Sequence, residues 1–314
     1  MNKITIIGSG SVGATISYTL AVMGLASEIV MIDINTEKAI GEAMDIRQCL
    51  PFCNPCTVNA GSYADAANSD IVIITSGVTR KAGQSRLELA QTNIDILKQI
   101  MKDITHAAPD AVYLIVSNPV DILTYAFCKR SGIPESRIIG SGTILDTARL
   151  RARMSEFYSI NQNNTHAYVL GEHGDSSFVP WSLANVSNVN ISDCHKSFKG
   201  KNGKLLEFDY ADAERYVQKS GGEVIARKGA TFYAVSTAVC SICKCLLSGV
   251  DTTMTISTMM HGEYGIEDVC LSTLSIVGNK GIRSNVYLPL NDEEIAKLRH
   301  SADTLKAIIK STVI

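Results

Sequence analysis

The clearest candidate for proton transfer is His173, which stands between two glycines in the segment 171–176. The unperturbed pKa of histidine is about 6.5, so an imidazole exchanges protons readily near neutral pH. The segment follows a strand-like run at 166–170, and its glycines favour a histidine exposed to a cleft over one satisfied in the core. Upstream, Asp146 opens a predicted helix and Arg149 follows three residues later, so both side chains reach one side of that helix.

A second chemical signal is a G-x-G-x-x-G loop, formed by Gly8, Gly10 and Gly13. It lies between a β-branched run at 4–7 and a helical pattern that Gly24 closes. Such a loop lets the backbone approach a pyrophosphate, whose charge meets the amides and positive dipole end of the helix. A predicted strand at 28–32 then leads into Asp33, 20 positions after the last glycine of the loop. A carboxylate there accepts hydrogen bonds from both ribose hydroxyls and repels a 2′-phosphate, which predicts NAD rather than NADP.

These residues need a scaffold, and the sequence predicts one from alternating strands and helices. Strand-like runs at 71–75 and 112–117 are separated by an amphipathic stretch at 87–105. This alternation is typical of an α/β fold with a Rossmann-type, doubly wound parallel sheet whose ligand crevice lies at the carboxyl ends of the strands. Beyond residue 142 the alternation fades. We therefore expect an NAD-binding domain at 1–142 and an α+β substrate-binding catalytic domain at 143–314.

Two local expectations follow from residue patterns. The first helix is expected to bury the face marked by Val12, Ile16, Leu20 and Met23. The nine cysteines are odd in number and irregularly spaced, so we expect reduced structural thiols, buried or half-buried. Neither the C-x-x-C of Cys53 and Cys56 nor the cysteines at 240–245 provide the four ligands of a zinc site, and no metal is predicted.

The composition indicates an ordinary globular protein and excludes several classes of function. Of 314 residues, 46% are apolar and 19% charged, and 29 basic residues nearly balance 31 acidic ones. No single-signed field is therefore available to recruit nucleic acid or an anionic membrane. The apolar runs are far shorter than the roughly 18 residues of a membrane span, and the start of the chain lacks the pattern of a secretory signal. We expect a cytoplasmic location.

Four segments together resemble the lactate/malate dehydrogenases, and closely their bacterial L-lactate branch. They are GSGSVGA at 8–14, SNPVDILTY at 117–125, GSGTILDTARLR at 140–151 and GEHGDSSFVPWS at 171–182. The resemblance covers nearly the whole chain. It implies a homotetramer that reversibly transfers hydride between NADH and pyruvate, giving (S)-lactate and NAD, as in glycolysis and fermentation.

The resemblance also implies a role for individual residues. His173 would be the acid/base, Asp146 its partner and Arg149 the clamp for the substrate carboxylate. Arg86 would polarise the substrate carbonyl from a mobile loop, and Asn118 and Thr231 would complete the substrate pocket. The residues implied to bind NAD are Gly8, Gly10, Val12, Gly13, Asp33, Lys38, Tyr63, Gly77, Val78, Ser117 and Ser141.

The chemistry of 2-oxo acid reduction suits these residue types. Hydride adds to the carbonyl carbon, and the oxygen must then receive a proton from the protein. A carboxylate beside a histidine favours the protonated imidazole that this step needs. An arginine fork binds a carboxylate through two hydrogen bonds, and a second arginine supplies positive charge where the oxyanion develops.

The polar segment at 77–86, suited to folding over a bound substrate, departs from the lactate pattern. Many lactate dehydrogenases carry glutamine at the position of Arg80 and glutamate at that of Gln84, whereas malate dehydrogenases carry arginine at the former. A guanidinium facing a closed pocket would pair with the second carboxylate of oxaloacetate. Over the methyl group of pyruvate it would be unpaired, at a cost of several kcal/mol. Malate dehydrogenase activity or dual specificity therefore remains an alternative to L-lactate dehydrogenase activity.

Arg151 and His166 match positions that form a fructose 1,6-bisphosphate site between subunits in allosteric bacterial lactate dehydrogenases. Two cations suit a phosphate, but each residue has an ordinary structural explanation as well, on a solvated helix and at a strand end. Allosteric activation would further require that the effector bind two states of the protein differently.

Two rival classes of protein are weaker. Tyr125 and Lys129 have the Tyr-x-x-x-Lys spacing of the short-chain dehydrogenases, although that class uses a differently spaced glycine loop. A non-enzymatic protein that kept the fold is the other rival, since a fold alone does not establish an activity. Retention of His173, Asp146, Arg149 and Arg86 together argues against it.

Overall fold

The computed structural model describes residues 2–79, 85–200 and 202–314, without the side chain of Arg86. The strands are β1 Lys3–Ile7, β2 Glu28–Ile32, β3 Thr57–Ala60, β4 Ile71–Ile74, β5 Val112–Ile115, β6 Ile138–Gly140, β7 Thr165–His166, β8 Asn185–Val186, β9 Val189–Asn190, β10 Thr252–His261, β11 Glu267–Gly278 and β12 Gly281–Asn285. The α-helices are α1 Ser11–Met23, α2 Thr36–Cys49, α3 Arg86–Ala107, α4 Val120–Arg130, α5 Ile144–Tyr158, α6 Ile191–Ser197, α7 Tyr210–Lys228, α8 Tyr233–Leu247 and α9 Asp292–Lys310.

A nine-stranded sheet forms the centre of the described molecule, in the order β12-β11-β10-β6-β5-β4-β1-β2-β3. The six strands from β6 to β3 are parallel and have the doubly wound order expected of a dinucleotide-binding sheet. The chain winds outward from β1 to β2 and β3, and then from β4 to β5 and β6. The predicted α/β fold class is confirmed, and the change of direction between β1 and β4 places the crevice at their carboxyl ends.

Both faces of the parallel strands are covered, because these strands are almost wholly apolar. Every residue of β4 is buried, and alternate residues enter different cores. Ile71 and Ile73 pack with residues of α1 and α8, whereas Val72 and Ile74 pack with residues of α3 and α4. The carboxyl ends of the strands are thus a fixed edge between two helical layers.

The second half of the chain extends this sheet. Strand β10 runs antiparallel beside β6, with Ser257 opposite Gly140, and β11 and β12 continue outward in antiparallel order. A separate three-stranded sheet consists of β7, β8 and β9. The fading of the alternation beyond residue 142 is therefore real, but pattern reasoning did not foresee that later strands join the first sheet.

The prediction of a strand at 166–170 is correct only at its start. Within 165–171, regular pairing ends at His166, and Leu170 and Gly171 form isolated bridges. The hydroxyl of Thr143 donates to the carbonyl of Val169 (2.5 Å), and the amide of Val169 donates to Oγ1 of Thr147 (2.9 Å). Because threonines at the start of α5 satisfy this backbone, no neighbouring strand is needed.

Helix α1 also differs from its predicted face. Its buried residues are Gly13, Ile16, Ser17, Leu20 and Ala21. Met23, predicted as a core residue, is 41% exposed, and Val12 is half-buried. A pattern of large apolar residues overlooks the small ones, which are buried here because the helix lies close to the sheet and to α8. The helix ends as predicted, with Gly24 in the left-handed conformation at φ 65°.

All nine cysteines are free thiols, five buried and four half-buried, as the sequence predicts. Within the described ranges, no three histidine, cysteine or acidic side chains are grouped as a metal site. Nor does any helix in those ranges have the length and apolarity to span a membrane.

Candidate active site

The loop between β1 and α1 requires glycine at two of its three glycine positions. Gly8 has a φ of 101°, and its amide donates to the carbonyl of Ile32 (2.7 Å). A Cβ on Gly13 would lie 1.8 Å from the carbonyl oxygen of Gly8. A Cβ on Gly10 would meet no atom within 4 Å, so the space beside it is open. The glycines therefore tighten the loop and leave one side of it accessible to a ligand.

The start of α1 fits an anionic ligand. Gly10 is its N-cap and supplies no side chain to bind the first amides of the helix. Nearby, the Oγ of Ser9 is buried and lacks a hydrogen-bond partner among the described residues. Free amides at a helix N-terminus, in an open cradle, are the groups that bind a pyrophosphate.

Asp33 is held beside this loop, directly after β2. Its Oδ2 accepts a hydrogen bond from the amide of Ser9 (2.6 Å), and its Oδ1 accepts one from the amide of Asn35 (2.8 Å). The carboxylate is thus fixed next to the glycine loop, where a ribose diol would lie. The donor and acceptor set at this end of the crevice fits NAD.

The remaining predicted NAD-binding residues lie along the same edge of the sheet or on elements that flank it. Gly77 and Val78 follow β4, and the hydroxyl of Ser117, after β5, donates to the carbonyl of Ser76 (2.6 Å). Ser141 follows β6 and donates its amide to Ile115 (2.9 Å). Lys38 is exposed in the first turn of α2, and half-buried Tyr63 begins a short 3₁₀-helix after β3. Burial raises the pKa of Tyr63, with a smaller effect from Asp103.

The central prediction concerned the imidazole and its acid, and the structure places them in contact. Nδ1 of His173 lies 2.6 Å from Oδ2 of Asp146, which is in the first turn of α5. The Asp146 side chain is 8% exposed, whereas a quarter of the His173 side chain is accessible. The charge of Asp146 is the main reason that the pKa of His173 is raised to about 9. Burial alone would raise the pKa of Asp146, but His173 and Arg149 hold it below its usual value. At neutral pH this pair is an imidazolium beside a carboxylate.

The carboxylate of Asp146 also binds Arg149, the residue predicted to bind the substrate carboxylate. Nη1 of Arg149 lies 2.8 Å from Oδ1 of Asp146, so the two oxygens of one carboxylate bind the guanidinium and the imidazole. Gly221 of α7 faces this guanidinium, and a Cβ there would lie 3.5 Å from it. The geometry fixes a planar cation beside the proton donor, as binding of a small carboxylate next to an acid/base requires.

Sequence reasoning missed a buried carboxylate behind His173. Oδ2 of Asp121 accepts the backbone amide of His173 (2.8 Å), and Oδ1 accepts the hydroxyl of Ser257 (2.5 Å). Burial raises the pKa of Asp121 to about 6. Asp121 lies inside the segment 117–125, and a signal was present, since an aspartate among apolar residues at the start of a helix needs a buried partner.

A cavity connects these groups. Asn118 and His173 line it together with Ser141, and Val235 and Val239 of α8 cover one side. Half-buried Thr231 lies on the connection between α7 and α8 that leads into this helix. The backbone of Arg86 begins α3, but its side chain is not described, and Arg80 and Gln84 lie outside the described residues. The structure therefore brings Asn118, Ser141 and His173 together.

The spacing of Tyr125 and Lys129 has a structural explanation. The hydroxyl of Tyr125 donates to Oδ1 of Asp268 (3.2 Å), and Nζ of Lys129 lies 2.6 Å from the same oxygen. Asp268 is on β11, and neither side chain lines the cavity of His173. The pair binds α4 to the sheet instead of forming a short-chain dehydrogenase site.

The predicted effector residues are neighbours. Nη2 of Arg151 donates to the carbonyl of Gln162 (3.4 Å), and Nε of Arg151 is buried without a hydrogen-bond partner among the described residues. His166 is exposed in β7, next to Thr165, whose hydroxyl donates to the carbonyl of Arg151 (3.4 Å). The two side chains are thus carried by adjoining segments.

Comparison with known proteins agrees with this geometry. The family model for the lactate/malate dehydrogenase NAD-binding domain matches residues 2–140, and the model for the α/β C-terminal domain of that family matches residues 143–313. The chain is 44% identical to an L-lactate dehydrogenase of Acetivibrio thermocellus, covering 99% of this chain and 97% of that protein. It is 45% identical to L-lactate dehydrogenase 1 of Clostridium acetobutylicum, covering 98% of each.

Solved structures give the same result. A minor L-lactate dehydrogenase of Enterococcus mundtii, solved with ligands bound, matches with a TM-score of 0.94 at 35% identity, over 100% of this chain and 99% of that one. A lactate dehydrogenase from a deep-sea metagenome library matches with a TM-score of 0.93 at 37% identity, over 98% of each chain. From its crevice and from these comparisons, the chain belongs to the lactate/malate dehydrogenase family of NAD-dependent oxidoreductases.

Proposed function

We propose that this protein is an L-lactate dehydrogenase that interconverts pyruvate and (S)-lactate with NADH and NAD. The observation that carries the proposal is the contact of 2.6 Å between Nδ1 of His173 and Asp146, at the mouth of a crevice that fits NAD. The relatives named above as L-lactate dehydrogenases support pyruvate as the substrate. The resemblance in the segments 140–151 and 171–182 points the same way.

The residues divide the work of the reaction. When bound, the reduced nicotinamide supplies the hydride that adds to the substrate carbonyl carbon. His173 carries the proton for the carbonyl oxygen, and Asp146 keeps the imidazole protonated and oriented. Arg149 binds the substrate carboxylate, and Arg86, at the start of α3, would stabilise the developing charge on oxygen. In lactate oxidation the neutral imidazole takes the proton back.

The crevice holds the cofactor through groups at its two ends. The free amides at the start of α1 would bind the pyrophosphate, and Asp33 would accept the ribose hydroxyls. Ser117, Ser141 and Asn118 lie at the end near His173, where the nicotinamide must reach the substrate. The carboxylate of Asp33 favours NAD over NADP because it would repel a 2′-phosphate.

The first test removes the acid/base. We expect His173→Asn to abolish pyruvate reduction, with a loss of at least about a hundredfold, because His173 is the one titratable side chain among the described residues that line this cavity. NADH consumption at 340 nm measures turnover, and fluorescence titration measures NADH binding, which should be retained. Turnover near that of the parent enzyme would reject the assignment of His173.

The second test separates lactate from malate dehydrogenase activity. Catalytic efficiencies for pyruvate and oxaloacetate are compared in the parent enzyme and in Arg80→Gln. We expect pyruvate to be preferred in both. If oxaloacetate is preferred more than tenfold and the substitution reverses the order, Arg80 faces the substrate and the protein is a malate dehydrogenase.

Four further expectations stay predictions that this function supports. They are a division into domains near residue 143, a homotetramer, a cytoplasmic location and activation by fructose 1,6-bisphosphate. The neighbouring positions of Arg151 and His166 support the last of these. Activation that survives Arg151→Gln would exclude the site.

A further inference from the structure

One buried amide contacts two parts of the crevice at once. Asn93 of α3 is 2% exposed, and its Oδ1 accepts the backbone amide of Val78 (2.8 Å). Its Nδ2 donates to the carbonyl of Val78 (3.1 Å) and to the carbonyl of Asn118 (2.6 Å). The side chain therefore binds, with its acceptor and its donors, backbone groups that have no partner in the strands and helices of the described residues.

The three contacts join helix α3 to the ends of two neighbouring strands. Val78 follows β4, Asn118 follows β5, and Asn93 lies on the helix that covers one face of both strands. The Cα of Arg86 lies seven residues before Asn93, or two helical turns, which puts both positions on one face of α3. The Ser85–Glu88 capping box fixes the start of the helix, with the amide of Glu88 donating to Oγ of Ser85 (3.1 Å).

We propose that Asn93 is a positioning residue of the active site, which holds Val78 and Asn118 in a fixed arrangement with α3. This inference rests on the proposed dehydrogenase function. Through Asn118 the amide sets one wall of the substrate pocket, and through Val78 it sets the strand end that borders the cofactor. Through α3 it sets the position of the first helical turn, which carries Arg86.

Packing alone does not account for this residue. A buried site on an apolar helix face is filled best by an aliphatic side chain, and a buried amide is tolerated only when its polar atoms are paired. Here the side-chain amide pairs with both the N–H and the carbonyl of Val78, as a neighbouring backbone would, and its Nδ2 also donates to the carbonyl of Asn118. Removing it would leave two carbonyls and one amide without the partner that now holds them in place, while most of the apolar contacts of α3 would remain.

The test uses Asn93→Asp and Asn93→Ala, with Gln99→Glu as a control. Aspartate has the size of asparagine and can still accept the amide of Val78, but it faces two carbonyl oxygens without a donor. Gln99 is exposed on the same helix, so Gln99→Glu makes the same chemical change without touching the crevice. Steady-state kinetics with pyruvate, NADH affinity, oxamate affinity in the presence of NADH, and Tm are measured for each.

We expect kcat to fall and oxamate to bind more weakly in both Asn93 variants, by about 10- to 100-fold, the effect of a small displacement of groups that border the substrate. NADH affinity should change by less than about fivefold, because the glycine loop and Asp33 hold the other end of the cofactor. Kinetics within twofold of the parent would overturn the proposal. The proposal would also be overturned if NADH affinity fell as many-fold as oxamate affinity and Tm fell as well, because such a general loss would mean a purely structural role.

A measurement without substrate keeps this inference separate from the proposed function. Hydrogen exchange at the amide of Val78 should be at least tenfold faster in Asn93→Ala than in the parent, since its acceptor is gone. If the parent did not reduce pyruvate, the proposed function would fail, but this exchange measurement would still test whether Asn93 holds the backbone of Val78. An unchanged exchange rate at Val78 would overturn the positioning role of Asn93, whatever the substrate.

Discussion

At the scale of single residues, the site depends on how one carboxylate distributes its two oxygens. Asp146 binds the imidazole of His173 with Oδ2 and the guanidinium of Arg149 with Oδ1. In the proposed mechanism, proton transfer by His173 and substrate binding by Arg149 therefore depend on the same side chain. Its charge is the largest cause of the raised pKa of His173.

The pH dependence of the two reaction directions should follow from this pair. Pyruvate reduction needs the imidazolium, so its kcat/KM should hold at neutral pH and fall as pH rises through about 9, the pKa to which Asp146 raises His173. Lactate oxidation needs the neutral imidazole and should rise through the same range. Initial rates of pyruvate reduction and of lactate oxidation between pH 6 and 10 measure both dependences.

Asp146→Asn should move that midpoint to lower pH and reduce pyruvate reduction at pH 8 by about 10²- to 10⁴-fold, because protonation and orientation are both lost. The direction of the shift is the discriminating result. A midpoint that stays where it is in the parent would show that Asp146 does not control the proton of His173.

At the scale of elements, the glycine loop allows the requirement for folding to be tested separately from the requirement for cofactor binding. A Cβ at position 13 would collide with the carbonyl of Gly8, so Gly13→Ala should lower Tm by several degrees and weaken NADH binding at least tenfold. Gly10→Ala is the matched variant, since its Cβ would meet no protein atom and its φ of −73° suits any residue. It should keep the parent Tm and still weaken NADH binding, because the open space is where the pyrophosphate approaches. Equal effects of the two substitutions on Tm would contradict this interpretation.

The elements also show what the sequence predicts well and where it fails. The strand–glycine–helix unit and Asp33 were predictable because each residue type is required by the local backbone or by the ligand. The strand at 166–170 was not, since Thr143 and Thr147 satisfy that backbone from a distant part of the chain. Tertiary hydrogen bonds of this kind leave no local pattern.

The residues of the candidate site also differ in how far the sequence predicted them. His173, Asp146 and Arg149 were assigned through the resemblance of whole segments, and the structure brings all three into contact through Asp146. Asp121 and Asn93 were missed because the groups of the site that they hold are backbone groups, namely the amide of His173 and the backbone of Val78 and Asn118. Residues that act on the backbone of others have no signature of spacing.

At the scale of the whole molecule, Asp121 links the two halves of the chain. It lies on α4, it accepts the amide of His173, and it accepts the hydroxyl of Ser257 on β10. Ser257→Ala would leave one oxygen of a buried carboxylate unpaired. We expect a loss of unfolding free energy of about 1–3 kcal/mol, together with lower activity, since the support of His173 is disturbed.

Chemical denaturation and pyruvate kinetics test this link, with Ser284→Ala as the control. Ser284 is exposed on β12, so the same substitution there should leave both measurements unchanged. Loss of stability in Ser257→Ala with full activity would show that Asp121 is not a support for His173.

The junction of β6 with β10 has a consequence for any attempt to divide the protein. A fragment ending at residue 142 would present β6 as a bare edge and would uncover Ile139, which packs with Ile256 and residues of α8 in the intact chain. Bare edges next to apolar surface promote self-association. We therefore expect the nucleotide-binding half to aggregate when it is separated from the half that follows it.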